Sequence, residues 1–304
     1  MPKAETQRIT DLIDHAIEIL EEQSPMTIRQ LFYRLVSAGD LENCRKDYAK
    51  VSRIMTIARN DGRIDWDAIV DRSRTDYAPT VWEDAAEYVE TLKTGYRKDY
   101  WKLQPAHVEI WVEKDAVVGS IENLTDELGV RVRPGKGFQS TTKVHEIAEL
   151  FSVIKKPIFV YYLVDHDPSG RNAEEDLAIR VLQHLWALPD SDEDADFFME
   201  RLAIEAEDIA RFHLPPLKVK PSDSRTPGFK KKYGNQCVEL DALPVVELRR
   251  RIQEAVEKHI DRKSWERAKL TEQAETQSIL DFAGRMQKIK TGGNDGRETD
   301  IQDR

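Results

Sequence analysis

Ile158-Phe-Val-Tyr-Tyr-Leu-Val164 runs directly into Asp165-His-Asp-Pro-Ser-Gly170. An unbroken apolar and aromatic run of this length suits a strand covered on both faces, as in a parallel sheet flanked by helices. The turn after it carries two carboxylates, Asp165 and Asp167, on one tight loop at the strand's carboxyl end. Ligands bind at that end in open parallel sheets. Upstream, His107–Val112 alternates and predicts a strand ending at Glu113. A helix to about Leu128, a short strand Val130–Val132, a loop Pro134–Gly137 and a helix from Thr141 to about Phe151 then lead back to the long strand. Downstream come a helix over about Asn172–Trp186, an acidic loop around Asp190–Asp196 and a candidate strand Pro216–Val219. Strands alternating with helices predict a doubly wound α/β domain. Residues 244–287 read as mostly helical, and the tail from Thr291 has almost no apolar content, as in disordered segments.

Glu113, Asp165 and Asp167 would share the rim formed by the carboxyl ends of the strands. Three carboxylates make a hard oxygen site that suits Mg²⁺, which keeps waters and phosphate oxygens in its shell. A strand-end glutamate is often only solvated, and Asp-x-Asp-Pro-x-Gly alone can be a capped turn; the order and βαβ spacing of the three give the reading its weight. Gly135-Lys136-Gly137 lies between them. It is either a plain turn or a loop that brings backbone and Lys136 to a phosphate.

The N-terminal part is helical. Residues 5–22 carry apolar side chains at helical spacing, Thr27 caps a second helix that Gly39 stops, and a third spans about Asp47–Asn60. Asp61-Gly62 is a turn signal and residues 63–70 read as a short strand. Three helices, a turn and a strand follow the order of a winged helix, with the third helix offered to a DNA groove. Lys50, Arg53, Arg59 and Arg63 lie on that helix or at its flank, and with Lys114 and Lys136 they are the candidate phosphate contacts. On the second helix Tyr33 falls at the edge of the apolar stripe, with Arg29 four residues earlier on the same face. A guanidinium there would favour the phenolate and hold a phosphate. Alternatively the ring packs and only its hydroxyl is wetted.

The net charge of −10 opposes non-specific DNA binding unless basic surface is local. Arg29–Arg74 holds ten basic and seven acidic residues, a local charge of +3 that permits DNA binding. Cys44 and Cys237 are isolated, which argues against a zinc site or a disulfide framework. No apolar run reaches membrane-spanning length, and the N-terminus lacks the pattern of a signal peptide. The expectation is a cytoplasmic, nucleoid-associated protein without a membrane partner.

Glu113-Lys114, Gly135-Lys-Gly-Phe138 and Asp165-x-Asp-Pro-x-Gly170 resemble the Toprim signature of topoisomerase VI A subunits and the related meiotic double-strand-break transesterase. Thr27-Ile-Arg-Gln-Leu-Phe-Tyr33 resembles the segment of those proteins that ends in the DNA-linking tyrosine. Residues 59–64 and Val238–Pro244 are similar to further family segments. The resemblance covers roughly residues 20–260 and is nearest to the compact stand-alone A-type proteins. It implies an α/β plus α chain: a winged-helix (CAP-like) domain over 1–100, a Toprim domain with C-terminal helices over 101–290, and a disordered tail over 291–304. It implies that Tyr33, assisted by Arg29, forms a 5′-phosphotyrosyl bond with double-stranded DNA, and that Glu113, Asp165 and Asp167 hold Mg²⁺. It also implies a homodimer sharing each site between protomers. No ATP-binding segment or P-loop is found, so an ATPase (B-type) subunit would be a separate partner. Two other readings stand beside this one. One is a Mg²⁺-dependent Toprim nuclease acting by hydrolysis, with Tyr33 structural and His166 or His145 as candidate bases. The other is a non-catalytic DNA-binding or assembly protein.

Overall fold

The structure is a computed structural model that describes residues 3–70, 79–83, 87–88, 91–92, 95–135, 140–188, 196–219 and 224–292. The chain divides into two compact units, Met1–Thr75 with Pro105–His259, and Asp76–Gln104 with Ile260–Arg304. This division does not follow the boundary expected near residue 100. The N-terminal helices fall in the same unit as the parallel sheet, because the second helix packs on the segment around Leu240–Ala242.

Helices α1 (Lys3–Gln23), α2 (Ile28–Ala38) and α3 (Arg45–Asn60) open the first unit. A reciprocal capping box fixes the start of α2: Gln30 N–H donates to Thr27 Oγ1 at 3.1 Å, and Thr27 N–H donates to Gln30 Oε1 at 2.7 Å. Gly39, at φ +89°, ends the helix in the left-handed region that glycine tolerates. Residues 63–70 do not form the expected strand. They form a 3₁₀ turn, Trp66–Ala68, with a single bridge between Met26 and Ile69. The Arg59 guanidinium donates to the carbonyls of Trp66 (2.8 Å) and Ile69 (3.3 Å) and lies 4.3 Å from the centre of the Trp66 ring. It thereby folds the segment back onto α3.

The sheet comprises β1 (His107–Val112), β2 (Arg131–Pro134), β3 (Ile158–Leu163) and β4 (Phe197–Ala203), all parallel in the order β2-β1-β3-β4. Between them run α4 (Asp115–Glu127), α5 (Thr141–Ser152) and α6 (Pro168–Trp186). Helices α5 and α6 bury one face of the sheet over Trp111, Val160, Tyr162 and Val164. Helix α4 packs instead with α9 (Val245–Glu257), and right-handed crossovers assign it to the opposite face. The expected helix at about Asn172 begins earlier, because Asp167 caps it and Pro168, with its preset φ, occupies the first turn. Strand β4 was not legible in the sequence. It is an edge strand whose burial alternates, and its residues FFMERLA mix charge with apolar side chains. The candidate strand at Pro216–Val219 is a two-residue β5 (Leu217–Lys218), antiparallel to β6 (Gln236–Cys237). Helices α7 (Ala206–Arg211) and α8 (Thr226–Tyr233) complete this region.

In the second unit, α10 (Arg262–Gly292) packs with a 3₁₀ turn, Tyr100–Leu103. Tyr100 and Trp101 meet Trp265 with ring centres 4.8 and 5.8 Å apart, and Lys98 pairs with Glu275 at 2.8 Å. Of the helical connection expected over 80–104, residues 87–88, 91–92 and 95 are α-helical among those described, and Tyr100–Leu103 is the 3₁₀ turn. The acidic residues 190–195 and the tail from 293 lie outside the described residues. No described helix is long and apolar enough to cross a membrane.

Glu109, in the middle of β1, is fully buried. Its carboxylate accepts from Trp111 Nε1 (2.8 Å) and Arg133 Nη2 (3.0 Å) and lies 3.1 Å from His107 Nε2. Burial alone would raise its pKa, but the bonds from His107 and Arg133 outweigh that and hold it down at about 2. The depressed pKa means that Glu109 stabilises the fold fully above the ordinary carboxylate range, and that this contribution drains away as pH falls toward about 2. Glu109→Gln leaves Arg133 without its counter-charge and is expected to cost about 3–5 kcal/mol. Urea unfolding at neutral pH measures this, and the gap between variant and wild type should close as the solution is acidified.

Candidate active site

Strand β1 leads out toward β2, and β3 leads out toward β4, so the connections diverge between β1 and β3. This is the topological switch point of the sheet, where the carboxyl ends of the strands open a crevice. Glu113 and Asp165 stand on either side of it. The Asp165 N–H donates to Glu113 Oε2 at 3.1 Å, and the Glu113 N–H donates to the Leu163 carbonyl at 2.9 Å. Asp165 Oδ1 accepts from the Leu240 N–H at 2.8 Å. Asp167 Oδ1 accepts from the Gly170 N–H at 2.7 Å and so caps α6. Burial pushes the Glu113 carboxyl up, and the charges of Asp165 and Asp167 push it further. Burial also raises Asp165, against the pull of the Lys114 ammonium. A cleft of about 490 Å³ opens here, with Asp165, Asp167, Ser169, Lys218 and Glu239 in its wall.

The donor set is all hard oxygen, which fits Mg²⁺ in chemistry. As the side chains stand, no three His, Cys, Asp or Glu groups among the described residues converge on one point. The cation among the carboxylates is the Lys114 ammonium. Its Nζ lies 2.9 Å from Asp165 Oδ2, 3.2 Å from Asp241 Oδ2 and 3.4 Å from Glu239 Oε2. The three carboxylates raise its pKa against the opposing effect of burial.

Two glycines make the rim compact. A Cβ on Gly135 would stand 2.6 Å from the Glu113 carbonyl oxygen, and one on Gly170 would stand 2.5 Å from that of Asp165. Gly135 thus serves the packing of the strand ends, a role its sequence context did not reveal. Lys136 and Gly137 lie outside the described residues. Gly170→Ala is expected to cost about 1–3 kcal/mol, because backbone rather than a movable side chain must give way. A thermal melt measures that cost, and a substitution-neutral melt would show that the loop has room the geometry denies.

Tyr33 is not displayed at the edge of a buried face as its helical position suggested. It is 3% exposed. The periodicity of α2 reports one packed face, but a second face is covered from far along the chain. Thr27 Oγ1 lies 3.5 Å from Asp241 Oδ1, Gln30 Nε2 donates to Ser120 Oγ at 3.1 Å, and the Arg34 guanidinium donates to the Ala242 carbonyl. The Tyr33 hydroxyl lies against Glu239 and Arg29. Burial and the Glu239 charge push its pKa up to about 12, more than Arg29 draws it down. Arg29 does draw the phenol down, as expected, but burial and then the Glu239 charge outweigh it, and the guanidinium is shared with Glu239 at 2.7 and 3.2 Å.

Glu239 thereby joins the two halves of the site. It pairs with Arg29 on one side, where its charge acts on the Tyr33 hydroxyl, and with Lys114 on the other, and Lys114 reaches Asp165. No model of a known protein family matches the chain, and no curated protein matches it. Glu239 and Asp241 were missed as site residues by sequence reasoning. The segment Val238–Pro244 was singled out only for its family likeness, and nothing local in it marks Glu239 as the partner of Arg29, 210 positions away.

The candidate phosphate contacts are unequally available. Arg53 is exposed and Lys50 half-buried on α3. Arg59 is occupied with Trp66 and Ile69, and Arg63 with Asp14 at 2.7 Å. Lys114 is held within the carboxylate cluster. His166 is fully buried, and burial with Arg171 and Arg201 holds its pKa down at about 4. His145 lies on α5, within 3.5 Å of Glu149.

Proposed function

We propose that the chain cleaves double-stranded DNA by tyrosine transesterification, in the manner of a type IIB topoisomerase A subunit. In this reading α1–α3 act as a winged-helix DNA-binding element and the parallel sheet as a Toprim domain. The observation that carries the reading is the chain of ion pairs Arg29–Glu239–Lys114–Asp165, which runs from the carboxylate rim to the Tyr33 hydroxyl, on which Arg29 and Glu239 both act electrostatically. The arrangement is a closed one, since a phenol that is 3% exposed does not meet a phosphate. The Arg29–Glu239 pair is the part that must open. Arg29 is about half exposed, and an ion pair of this kind contributes only about 0–1 kcal/mol. A DNA phosphate offers the guanidinium a bidentate partner that competes for it. With Arg29 on the phosphate, Glu239 is left against the phenol and takes its proton. The Tyr33 oxygen then bonds to phosphorus, and the bond from phosphorus to the 3′-oxygen breaks. The departing 3′-oxygen takes a proton from water, so the products are a 5′-phosphotyrosyl bond, a 3′-hydroxyl and the phenol's own proton on Glu239, which returns it to solvent. Mg²⁺ held by Glu113, Asp165 and Asp167 would supply positive charge to the departing oxygen. Two copies of the chain, one tyrosine each, would cut both strands, and an ATP-driven step would belong to a separate subunit.

A second reading is favoured by the burial and raised pKa of Tyr33 themselves. It is a Mg²⁺-dependent nuclease in which water attacks the phosphate and Tyr33 only packs. Incubating the protein with supercoiled plasmid and Mg²⁺, then stopping with detergent, separates the two. Transesterification leaves DNA covalently joined to protein. Hydrolysis leaves cut DNA without protein, and cutting that persists in Tyr33→Phe but not in Asp165→Ala assigns the chain to the second reading.

A further inference from the structure

Residues 216–234 contain six Lys/Arg and one Asp, a local charge of +5 in a chain whose net charge is −10. Most of these side chains sit on or beside α8, and α8 is fixed to the carboxylate loop. The rings of Phe229 and Tyr233 lie 5.2 and 5.6 Å from the imidazole of His166, the residue between Asp165 and Asp167. Lys230, Lys231 and Lys232 face solvent from this helix. Lys218 lines the carboxylate cleft. A neighbouring cleft of about 380 Å³ lies between α6 and α8, with Arg171, Arg225 and Lys232 in its wall and Glu175 as an acidic member. Both clefts include Pro168, so the basic one continues the acidic one around the first turn of α6. Among the described residues no ion pair joins Lys218, Lys230, Lys231 or Lys232 to a carboxylate, and Lys232 lies 5.1 Å from the Tyr233 ring. By contrast, Arg59 on α3 and Arg63 just beyond its end are taken up by contacts within the chain.

We propose that α8, with Lys218 and Arg225, is a DNA-backbone surface that receives the duplex next to the phosphate held at the carboxylate rim. The proposal rests on the DNA-cleaving reading above and adds to it the path of the substrate. Consecutive ammonium groups on flexible stems act as point charges on a repeating phosphate backbone. A folded protein partner would instead need an apolar centre, and the exposed residues along α8 are its lysines with Pro227 and Gly228.

The test is duplex binding in EDTA, which separates binding from cutting, followed by fluorescence anisotropy of a labelled duplex across a range of salt. Lys230→Ala, Lys231→Ala and Lys232→Ala combined should weaken binding at least tenfold. The salt slope of log K should fall by about 2–3, as expected when roughly three phosphate contacts are lost. Arginine at the same three positions should restore binding. Lys155→Glu, beyond the carboxyl end of α5, should leave binding unchanged. A triple alanine variant with the wild-type slope overturns the surface, and if the wild type still forms the Tyr33 adduct the cleavage reading survives. A wild type that binds no duplex at low salt overturns both.

Discussion

Tyr33→Phe is expected to lower the yield of DNA-linked protein at least about 10³-fold, because loss of a nucleophile leaves only binding and electrostatic assistance. Stability should change by no more than about 1 kcal/mol, the net worth of one hydrogen bond. The ring that remains keeps its packing, including the contact with Phe32 at 5.5 Å between centres. Only the hydroxyl against Glu239 and Arg29 is lost. Detergent-stopped plasmid cleavage and urea unfolding, run on the same preparations, measure the two quantities. The pH dependence is a further check. Burial and the Glu239 charge hold the phenol at about 12, so the neutral form dominates at physiological pH, and adduct formation should rise as pH increases toward that value. Glu239→Gln removes one of the groups that raise the phenol, so its tyrosinate absorbance, taken as a difference from Tyr33→Phe, should appear at lower pH. If Tyr33 only packs, Tyr33→Phe will cut as well as the wild type, and the proposal of a covalent intermediate fails.

The parts of this molecule that are legible in its sequence are those set by local pattern. The run Ile158–Val164 is apolar throughout because both faces of β3 are covered, and that necessity is written in consecutive residues. Glu113 and Asp165 end adjacent strands, so strand order alone brings them together at the switch point. The end of α2 is likewise local, since Gly39 supplies the left-handed residue its terminus needs. What was not legible depends on distant partners. Tyr33 is an edge residue on a helical wheel and a buried one in the fold, because residues 239–242 close over it. Arg59 looked like a groove contact, yet its guanidinium satisfies two carbonyls of the segment that was expected to be a strand. Strand β4 escaped notice because an edge strand with one covered face has no continuous apolar run. In each case composition allowed both outcomes, and a contact from elsewhere in the chain decided between them.

Glu113→Gln is expected to make the protein more stable and to lower cleavage at least about 10²-fold, the scale on which loss of electrostatic assistance is felt. Glu113 is pushed up first by burial, then by Asp165 and Asp167, and the bond from the Asp165 N–H only partly offsets this. A carboxyl raised in the fold above its unfolded value favours folding at low pH, and that advantage is lost as pH rises through the folded value. At neutral pH the ionised group therefore burdens the fold. The glutamine amide oxygen can still accept from Asp165 N–H, while the charge is gone, and a gain of about 0.5–2 kcal/mol is the usual scale for relieving such strain. Mg²⁺ should reverse the order. An ion that binds the folded chain at about 100 times its Kd adds about 2.7 kcal/mol, and only a chain with Glu113 ionised would gain it. In EDTA the variant should melt above the wild type; in Mg²⁺ the wild type should melt above the variant. If Mg²⁺ moves neither midpoint, the carboxylates at the rim do not form a cation site and Glu113 is a burden with no metal to relieve it.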